Sequence, residues 1–436
     1  MLFQNPVNDT MPKTFNKISV VGLGYVGLPL SLQFAKSGVS VLGLDLDSSK
    51  VSSINNGKSY LKHFPSEVIA EQVNAERFEA TSDPSRVSET DAILICVPTP
   101  LNEYREPDLS FVLDTAETLA PHLKPGTLVV LESTTYPGTT EEELRLVLEQ
   151  ASGMKAGVDF HLAYSPERED PGRADASVKT IPKVVGGFTP LCAELTEALY
   201  SRALDRIHRV SSCRVAEATK LLENIFRSVN IALVNELKVV YDAMDIDVHE
   251  VISAAATKPF GFMAFRPGPG LGGHCIPIDP FYLTWKAREF DKNTRFIELA
   301  GEINTGMPDY VISKVTDTLN EEGKALKGSR VLILGLAYKA NIDDCRESPS
   351  FVLMEKLQAK GTFVEYNDPF VPVIPDTREH PHLTGKKSAE INDSYDLILV
   401  ATDHDEYKDF DFSHYACPIV DTRNCLTNPP SNYSRA

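Results

Sequence analysis

The sequence predicts an α/β protein in which two doubly wound, Rossmann-like domains are joined by a long central helix and a small helical domain. Two observations predict this architecture. Short apolar segments of strand length alternate with helical segments at both ends of the chain, and a central stretch keeps helical spacing for about thirty residues without a glycine or proline. Apolar strands that alternate with helices are typical of a parallel sheet covered on both faces.

The first α/β domain is predicted over residues 17–210, after a polar N-terminal tail of residues 1–16. The segment KISVVGLGYVGLPLSLQFAKSGVSVLGLDLD contains a strand at 17–21, a glycine turn, a helix to about Ser37 and a second strand at 39–44. Further buried-strand segments are DAILICVP, TLVVLES and FHLAYSP, at 91–98, 127–133 and 160–166. This order predicts a sheet built from βαβ units.

A central helical domain is predicted over residues 211–310. Apolar residues of its first helix recur at helical spacing, at 222, 225, 229, 233, 237 and 240. At 1.5 Å per residue such a helix reaches about 45 Å, a length typical of helices that bridge domains or form a dimer interface. We therefore expect a homodimer or a higher homo-oligomer. Asp247 and Glu250 resemble a capping box for a second helix, which ends before Pro259.

A second α/β domain is predicted over residues 311–426. The segment SRVLILGLAYKANIDDCRESPSFVLMEKLQAKGTFVEYNDP repeats the order of strand, glycine turn, helix, glycine and strand, and two more strands are expected at 395–404 and 417–424. Residues 427–436, TNPPSNYSRA, are polar, so we expect a disordered tail.

The composition argues against several classes of function. The chain has 436 residues, of which 42% are hydrophobic and 24% charged, and no apolar run approaches the ~20 residues of a membrane helix. The net charge of -18 disfavours nonspecific binding to nucleic acid. The N-terminal tail lacks the apolar core of a signal peptide, so we expect a cytoplasmic protein. The seven cysteines are scattered without a CxxC motif, which indicates neither a disulfide framework nor a metal site.

Gly22, Gly24 and Gly27 form a GxGxxG motif between the first strand and the first helix. Such glycines provide a tight turn, bare backbone for a pyrophosphate and close helix packing, and the helix N-terminus attracts phosphate. Asp45 ends the second strand, where a carboxylate can bind both hydroxyls of an adenosine ribose but repels a 2′-phosphate. The pattern predicts a site that prefers NAD to NADP; the alternative is a tight turn that binds nothing.

Five further residues are candidates for a catalytic site. Cys275 lies in GPGLGGHCIPIDP, and its thiol is either an inert apolar group or a nucleophile whose pKa is lowered by a neighbour such as His274, which itself has a structural alternative. Lys220 and Asn224 share one face of the long helix, as a solvated polar stripe or as part of a site. Glu167 follows a strand, at the edge where ligands bind in such sheets.

Several segments, in order along the chain, resemble the UDP-sugar 6-dehydrogenase family. They are GYVGLPL, ESTTYPGTT, SPE, AEATKLLEN, GGHCIPIDP and LGLAYKANIDDCRES, and the matches run from about residue 17 to 425. GGHCIPIDPFYL is most similar to the branch that acts on UDP-N-acetylhexosamines, in particular the UDP-N-acetylglucosamine 6-dehydrogenases. The resemblance implies an NAD-dependent, four-electron oxidation of a primary alcohol to a carboxylate, used in the synthesis of surface polysaccharide.

The resemblance also implies roles for the candidate catalytic residues. Cys275 is the implied nucleophile, which forms a thiohemiacetal and then a thioester. Lys220 and Asn224 stabilise the oxyanion, Asp279 assists them, and Glu167 acts in hydrolysis of the thioester.

The remaining implied roles concern binding. Thr135 is expected to hold a water or the nicotinamide region, Lys339 to contact the sugar nucleotide in the C-terminal domain, and Arg346 to contact the NAD. The other expected contacts to NAD are Tyr25, Val26 and Thr99, and those to the sugar nucleotide are Gly272, Gly273 and His274. The chain reads SPEREDPG where the glucose branch reads SPEFLREG, which leaves open whether Glu169 or Asp170 replaces the family's second glutamate.

Three alternatives stay open. The substrate can be UDP-N-acetylmannosamine or UDP-glucose. A two-electron dehydrogenase of the hydroxyacid or phosphogluconate type also joins a Rossmann domain to long helices, but it needs no cysteine and has no second α/β domain. A noncatalytic nucleotide-sugar sensor keeps the GxGxxG motif and tolerates loss of Cys275.

Overall fold

The computed structural model describes residues 14–61, 64–102, 106–168, 179–273, 276–377 and 379–436. The chain divides into two compact units, Met1–Leu222 and Glu223–Ala436. The described residues of each unit form one mainly or wholly parallel β-sheet, which confirms the predicted α/β class.

The described residues of the first unit form a sheet of eight strands. These are β1 (Lys17–Val21), β2 (Ser40–Leu44), β3 (Phe78–Thr81), β4 (Ala92–Ile95), β5 (Leu128–Leu131), β6 (His161–Tyr164), β7 (Lys183–Gly187) and β8 (Ile207–Arg209). Their spatial order is β3-β2-β1-β4-β5-β6-β7-β8. The pairs are parallel except β6 with β7, which run antiparallel. The carboxyl ends of β1, β4, β5 and β6 therefore lie at one edge of the sheet.

Helices connect the strands of this unit. They are α1 (Gly27–Lys36), α2 (Ser48–Asn55), α3 (Ser66–Asn74), α4 (Ser110–Leu119), α5 (Arg145–Ser152), α6 (Pro190–Tyr200) and α7 (Cys213–Asp242), with a π-helical turn at Thr140–Leu144 before α5. Alternate residues of the central strands enter different cores: Val20 and Leu94 pack in one, and Val21 and Ile95 in the other. This period of two is what a sheet covered on both faces requires.

Helix α7 runs without interruption across the division between the two units. The second unit also contains α8 (Val248–Ala256), α9 (Asp279–Arg288), α10 (Arg295–Glu321), α11 (Pro349–Ala359) and α12 (Asp405–Lys408). Its strands are β9 (Arg330–Leu334), β10 (Phe363–Asn367), β11 (Leu397–Val400), β12 (Ile419–Asp421) and β13 (Tyr433–Arg435). They form a parallel sheet in the order β10-β9-β11-β12-β13 over the described residues.

Two details differ from the sequence predictions. The C-terminal tail is not disordered, because β13 pairs with β12 and Ala436 is 5% exposed. β12, the strand that pairs with β13, lies more than ten residues earlier in the sequence. A local sequence pattern therefore does not predict that β13 forms. In addition, the expected boundary at residue 310 falls inside α10, a single helix of 27 residues.

None of the helices in the described residues combines the length and the apolar character of a membrane span.

Candidate active site

The turn between β1 and α1 has the geometry of a dinucleotide cradle. Gly22 has a φ of 91°, and a Cβ atom there would lie 2.8 Å from the carbonyl oxygen of Cys96. A Cβ at Gly27 would lie 1.9 Å from the carbonyl oxygen of Gly22, whereas one at Gly24 would meet no atom of the described residues within 4 Å, its two chain neighbours aside. Glycine is therefore required at the first and third positions, and the second borders open space beside the α1 N-terminus.

Asp45 stands at the base of this turn. Its carboxylate accepts hydrogen bonds from the backbone N–H groups of Leu23 at 2.8 Å and Asp47 at 2.9 Å, and Lys50 Nζ lies 3.2 Å away. The side chain is 11% exposed. These residues fit NAD: the bare backbone at Gly24 and the α1 N-terminus would hold the pyrophosphate, and Asp45 the adenosine ribose.

The other residues predicted to contact NAD in this unit lie nearby in the chain. Tyr25 and Val26 complete the turn, and Val26 is the N-cap of α1. Thr99 follows β4, which pairs with β1. Their contacts to NAD stay predictions.

The structure brings Lys220 and Glu167 together. Lys220 Nζ, on α7, donates a hydrogen bond to the backbone carbonyl oxygen of Glu167 at 2.7 Å, just beyond the carboxyl end of β6. Lys220 is 8% exposed and Asn224 7% exposed. The alternative that these two residues form a solvated stripe is therefore wrong. Buried polar groups on one helix face require fixed partners, and such partners are present.

A buried glutamate that the sequence analysis missed ties the Thr135 loop to the same helix. Glu217 accepts hydrogen bonds from the backbone N–H of Gly138 at 2.6 Å and from the N–H and hydroxyl of Thr140 at 2.9 and 2.7 Å. Burial raises the pKa of Glu217 to about 7, although these donors oppose the shift. Thr135 is fully buried, and within the described parts of the chain its hydroxyl has no hydrogen-bond partner. Glu217 lies one helical turn before Lys220.

In the second unit, Asn224 is held by Asp279. Asn224 Nδ2 donates to Asp279 Oδ2 at 2.5 Å, and both residues are buried. Asp279 is the first residue of α9, where a helix N-terminus favours a carboxylate. The hydrogen bond fixes the orientation of the Asn224 amide.

The glycines before the predicted nucleophile fit tightly against a neighbouring loop. A Cβ atom at Gly272 would lie 2.5 Å from Cβ of Tyr338, and Gly273, with a φ of 81°, donates its N–H to the carbonyl oxygen of Arg346 at 3.1 Å. The glycines therefore allow close backbone approach to the loop between β9 and α11. His274 and Cys275 lie outside the described residues, as do the alternative acids Glu169 and Asp170.

The loop between β9 and α11 carries the two predicted binding residues of this unit. Arg346 forms a bidentate pair with Asp344, with Nε–Oδ1 at 2.9 Å and Nη2–Oδ2 at 2.6 Å. Lys339 is half-buried in the same loop. Their contacts to NAD and to the sugar nucleotide stay predictions.

A buried acid that the sequence analysis missed fixes the start of this loop. Asp368, just after β10, accepts the N–H groups of Leu336 at 2.6 Å and Ala337 at 2.9 Å, and it lies 3.1 Å from His404 Nε2. His404 Nδ1 accepts the N–H of Asn341 at 2.9 Å, so the proton of the neutral ring is on Nε2 and points to Asp368. Asp368 follows the second strand of its unit, as Asp45 does in the first unit. Because both units repeat the order of strand, glycine turn, helix and strand, this position could have identified Asp368 from the sequence.

Glu132, Lys183 and Tyr200 form a second missed cluster, beside Glu167. Glu132 directly follows β5, so its place at the carboxyl edge of the sheet was a usable signal.

Comparison with known proteins identifies the family. Residues 16–204 match the NAD binding domain of the UDP-glucose/GDP-mannose dehydrogenase family, residues 214–306 its central domain, and residues 332–428 its UDP binding domain. The chain is 38% identical over 426 residues to protein CapL of Staphylococcus aureus, with 96% of this chain and 98% of CapL covered. It is 37% identical over 393 residues to the UDP-N-acetyl-D-glucosamine 6-dehydrogenase of Pseudomonas aeruginosa, with 90% and 91% covered.

A solved structure agrees with this match. The UDP-D-ManNAc dehydrogenase from Pyrococcus horikoshii superposes with a TM-score of 0.87 at 33% identity, and the match covers 96% of this chain and 98% of that one. The glycine cradle, the domain order and the three family matches lead to one conclusion. The chain belongs to the UDP-glucose/GDP-mannose dehydrogenase family and is an NAD-dependent nucleotide-sugar dehydrogenase.

Proposed function

We propose that the protein is a UDP-N-acetyl-D-glucosamine 6-dehydrogenase that oxidises the C6 hydroxymethyl group to a carboxylate without releasing the aldehyde. One observation carries the proposal. Helix α7 presents a buried ammonium and a buried amide four residues apart, and each is bonded to another residue expected in the site: Lys220 to Glu167 and Asn224 to Asp279. A rigid pair of donors on adjacent turns is suited to stabilise an oxyanion.

The choice of sugar rests on the relatives. Those named UDP-N-acetyl-D-glucosamine 6-dehydrogenases, from Pseudomonas aeruginosa and Salmonella typhi, are 37% and 36% identical to this chain. Those named UDP-N-acetyl-D-mannosamine dehydrogenases, from Pyrococcus horikoshii and Salmonella typhimurium, are 33% and 35% identical. The difference in sequence identity between the two groups is small, and it agrees with the resemblance of the GGHCIPIDPFYL segment to the N-acetylglucosamine branch.

The proposed chemistry begins at Cys275. NAD, when bound, supplies the hydride acceptor for each of the two oxidations. After the first oxidation, the Cys275 thiolate attacks the C6 aldehyde, because an aldehyde has no second hydride to give until a nucleophile adds. The Lys220 ammonium and the Asn224 amide stabilise the resulting oxyanion, and loss of one such donor typically costs about 3–4 kcal/mol of transition-state stabilisation. Asp279 keeps the Asn224 amide in the required orientation.

In the second oxidation the C6–H bond of the thiohemiacetal breaks with loss of a hydride, and the oxyanion becomes the carbonyl of a thioester. Hydrolysis of this thioester completes the proposed reaction. Glu167 accepts a proton from water while the water oxygen attacks C6, and the carbon–sulfur bond breaks with its electron pair leaving on the sulfur of Cys275. We assign the holding of that water to the buried Thr135 hydroxyl. The product is a UDP-N-acetylhexosaminuronate, a building block for surface polysaccharide.

We also propose that the protein is a homodimer. Support comes from apolar side chains between residues 223 and 310 that are at least 39% exposed in the single chain: Phe226, Leu233, Val239, Val240, Met244, Ile246, Phe260, Phe262, Met263, Phe290, Phe296 and Leu299. We call these residues the apolar surface. We propose that these side chains lie together in the interface, because a large exposed apolar patch is typical of an association site.

The experiment is a comparison of kcat/KM for UDP-N-acetylglucosamine, UDP-N-acetylmannosamine and UDP-glucose with purified enzyme and NAD. We expect UDP-N-acetylglucosamine to lead by at least about tenfold, since a pocket that bonds an equatorial acetamido group at C2 disfavours both its absence in UDP-glucose and its axial position in UDP-N-acetylmannosamine. A lead for UDP-N-acetylmannosamine or UDP-glucose overturns the assigned sugar. Cys275→Ala is the control, and it should form no carboxylate with any of the three.

A further inference from the structure

Three buried side chains beside Glu167 are unused by the mechanism above. We call Glu132, Lys183 and Tyr200 the Glu132 cluster. Glu132 follows β5, Lys183 begins β7 and Tyr200 ends α6. The side chains of Glu132 and Lys183 are 0% and 5% exposed, and Tyr200 is fully buried. Burying an ion pair is costly and gives little stability in return, so its presence at the edge of the site calls for a functional reason.

The geometry of the cluster leads to Glu167. Lys183 Nζ lies 2.5 Å from Glu132 Oε2 and 3.4 Å from Glu167 Oε2. The Tyr200 hydroxyl donates to the other oxygen of Glu132, and Lys183 Nζ lies 5.3 Å from the centre of the Tyr200 ring. One ammonium is thus shared by two carboxylates, and Glu132 and Tyr200 determine where it stands.

The cluster keeps a positive charge next to Glu167. Burial opposes the charge on Lys183, but Glu132 and Glu167 outweigh that effect and raise the pKa of Lys183. A cation within about 4–6 Å typically lowers the pKa of a carboxyl group by about 1–3 units. Lys183 therefore favours the ionised form of Glu167.

Other charged and titratable groups also lie close to Glu167. The Lys220 ammonium, from α7, bonds to the backbone carbonyl of Glu167, whereas Lys183 pairs with its carboxylate. The backbone N–H of Arg168 donates to Glu167 Oε1 at 2.6 Å, while its guanidinium bonds to the carbonyl oxygen of Pro182. The thiol of Cys96, after β4, is neutral because burial raises its pKa. Glu132, from β5, is the carboxylate that competes for Lys183.

We infer that Lys183 is a positioning residue for thioester hydrolysis: it holds the Glu167 carboxylate ionised and oriented to accept a proton from water, and Glu132 and Tyr200 hold Lys183 in place. The inference rests on the role proposed for Glu167. The hydrolytic step consumes one water, whose oxygen bonds to C6 while one proton passes to Glu167. That proton then passes to the Cys275 sulfur, and the carboxylic acid formed at C6 loses the second proton of the water to solvent and leaves as the carboxylate.

The test is the pH dependence of kcat, measured with the full enzyme, NAD and UDP-N-acetylglucosamine. Activity needs Glu167 ionised, so the acidic limb of the profile reports the pKa of Glu167. Lys183→Met removes the cation and should move this limb to higher pH by about 1–2 units. Glu132→Gln removes the competing anion and should move it to lower pH. A lysine that only supports the fold would give no shifts of opposite sign.

Further variants separate charge from folding. The double variant Glu132→Gln with Lys183→Met removes both buried charges, so it should fold even if Lys183→Met alone does not. The acidic limb of its pH profile should still lie at higher pH than that of the wild type. Lys183→Arg should keep the wild-type limb, because the charge remains. Lys124→Met, the same change at an exposed lysine of the same unit, should leave the limb unchanged.

Glu167→Gln distinguishes the two ways in which the idea can fail. If the acidic limb persists in Glu167→Gln, the proposed role of Glu167 is wrong, and the inference about Lys183 falls with it. If the limb disappears in Glu167→Gln but stays at its wild-type position in Lys183→Met and in the double variant, Glu167 keeps its role and the inference alone is overturned.

Discussion

The 2.5 Å hydrogen bond between Asn224 and Asp279 joins two buried groups from different helices. An amide bonded to a carboxylate has only one acceptable orientation, with Nδ2 toward Asp279, so its carbonyl oxygen is directed elsewhere. The Lys220 ammonium is also held in a fixed position, because it donates a hydrogen bond to the backbone carbonyl oxygen of Glu167. Both donors are therefore oriented before a substrate arrives, which is the condition for efficient oxyanion stabilisation.

This pair gives a first prediction. In a double-mutant cycle of Asn224→Ala and Asp279→Asn, the unfolding free energies should show a coupling of about 1.5–3 kcal/mol, the range for a hydrogen bond to a charged group. Urea denaturation of the two single variants, the double variant and the wild type measures it. Additive effects within about 0.5 kcal/mol would mean that the bond does not form in solution.

Glu217 gives a prediction on pH. Its folded pKa of about 7 exceeds the ordinary value of 4.5, so the folded protein holds an extra proton between those values. The stability contributed by Glu217 therefore falls as pH rises from about 4.5 to 7, by about 3 kcal/mol at most. The unfolding free energy of Glu217→Gln should lack this pH-dependent contribution, because glutamine does not titrate.

The measurement is the difference in unfolding free energy between wild type and Glu217→Gln at several pH values, because the subtraction cancels other titrating groups. The wild type should lose its advantage as pH rises through this window. A difference that stays constant with pH contradicts a raised pKa of Glu217.

Among the structural elements, the glycine loop before Cys275 depends on a residue without a side chain at Gly272. Any side chain at Gly272 meets Tyr338 within 2.5 Å, and neighbouring atoms of Glu347 and Pro349 lie at 3.2 Å. The loop must then move away from the segment that carries Lys339 and Arg346. We therefore expect the strain to affect the loop before Cys275 more than the core of the unit.

Gly272→Ala is accordingly expected to lower kcat/KM by about 100-fold, since a displacement of about 1 Å in a reacting group has that effect. The matched control is Gly306→Ala in α10, where a Cβ atom meets no described atom within 4 Å beyond the backbone of its own helix, and where helix propensity favours alanine. Equal activity of the two variants would show that the close packing at Gly272 is unimportant for catalysis.

The elements that the sequence predicted are those with a local signal. The strands β1, β4, β5 and β6 were visible as apolar runs, and α1 and α7 as periodic segments without breakers. The strands β3, β8 and β13 were missed because FEAT, IHR and YSR are short and partly exposed, and their stability comes from neighbours distant in sequence. Pairing partners of that kind leave no local pattern.

In the molecule as a whole, the difference between local sequence signals and contacts between distant residues explains how much of the site could be predicted. The GxGxxG motif and Asp45 follow from spacing alone, and Lys220 and Asn224 from the family resemblance. The Glu132 cluster joins residues 51 and 68 positions apart, and Asp368 and His404 are 36 apart. Only the folded chain brings such residues together, and neither charge nor periodicity indicates the pairing beforehand.

The apolar surface defined above gives a prediction for the assembled molecule. Light scattering should give twice the mass of one chain, and Phe296→Glu, at a side chain that is 78% exposed, should reduce that mass toward one chain by placing a charge in the interface. Phe363→Glu is the matched control, because this phenylalanine is 67% exposed but lies on β10, outside the apolar surface. A wild-type mass of one chain contradicts the dimer.

The proposed reaction depends on one sulfur atom that allows two oxidations of the same carbon. The most direct measurement is the number of NADH molecules formed for each UDP-N-acetylglucosamine consumed, followed by absorbance while the sugar products are identified. We predict two NADH, a uronate and no free aldehyde for the wild type, and no uronate for Cys275→Ala. One NADH per sugar with accumulating aldehyde, or normal uronate formation by Cys275→Ala, would contradict the proposal.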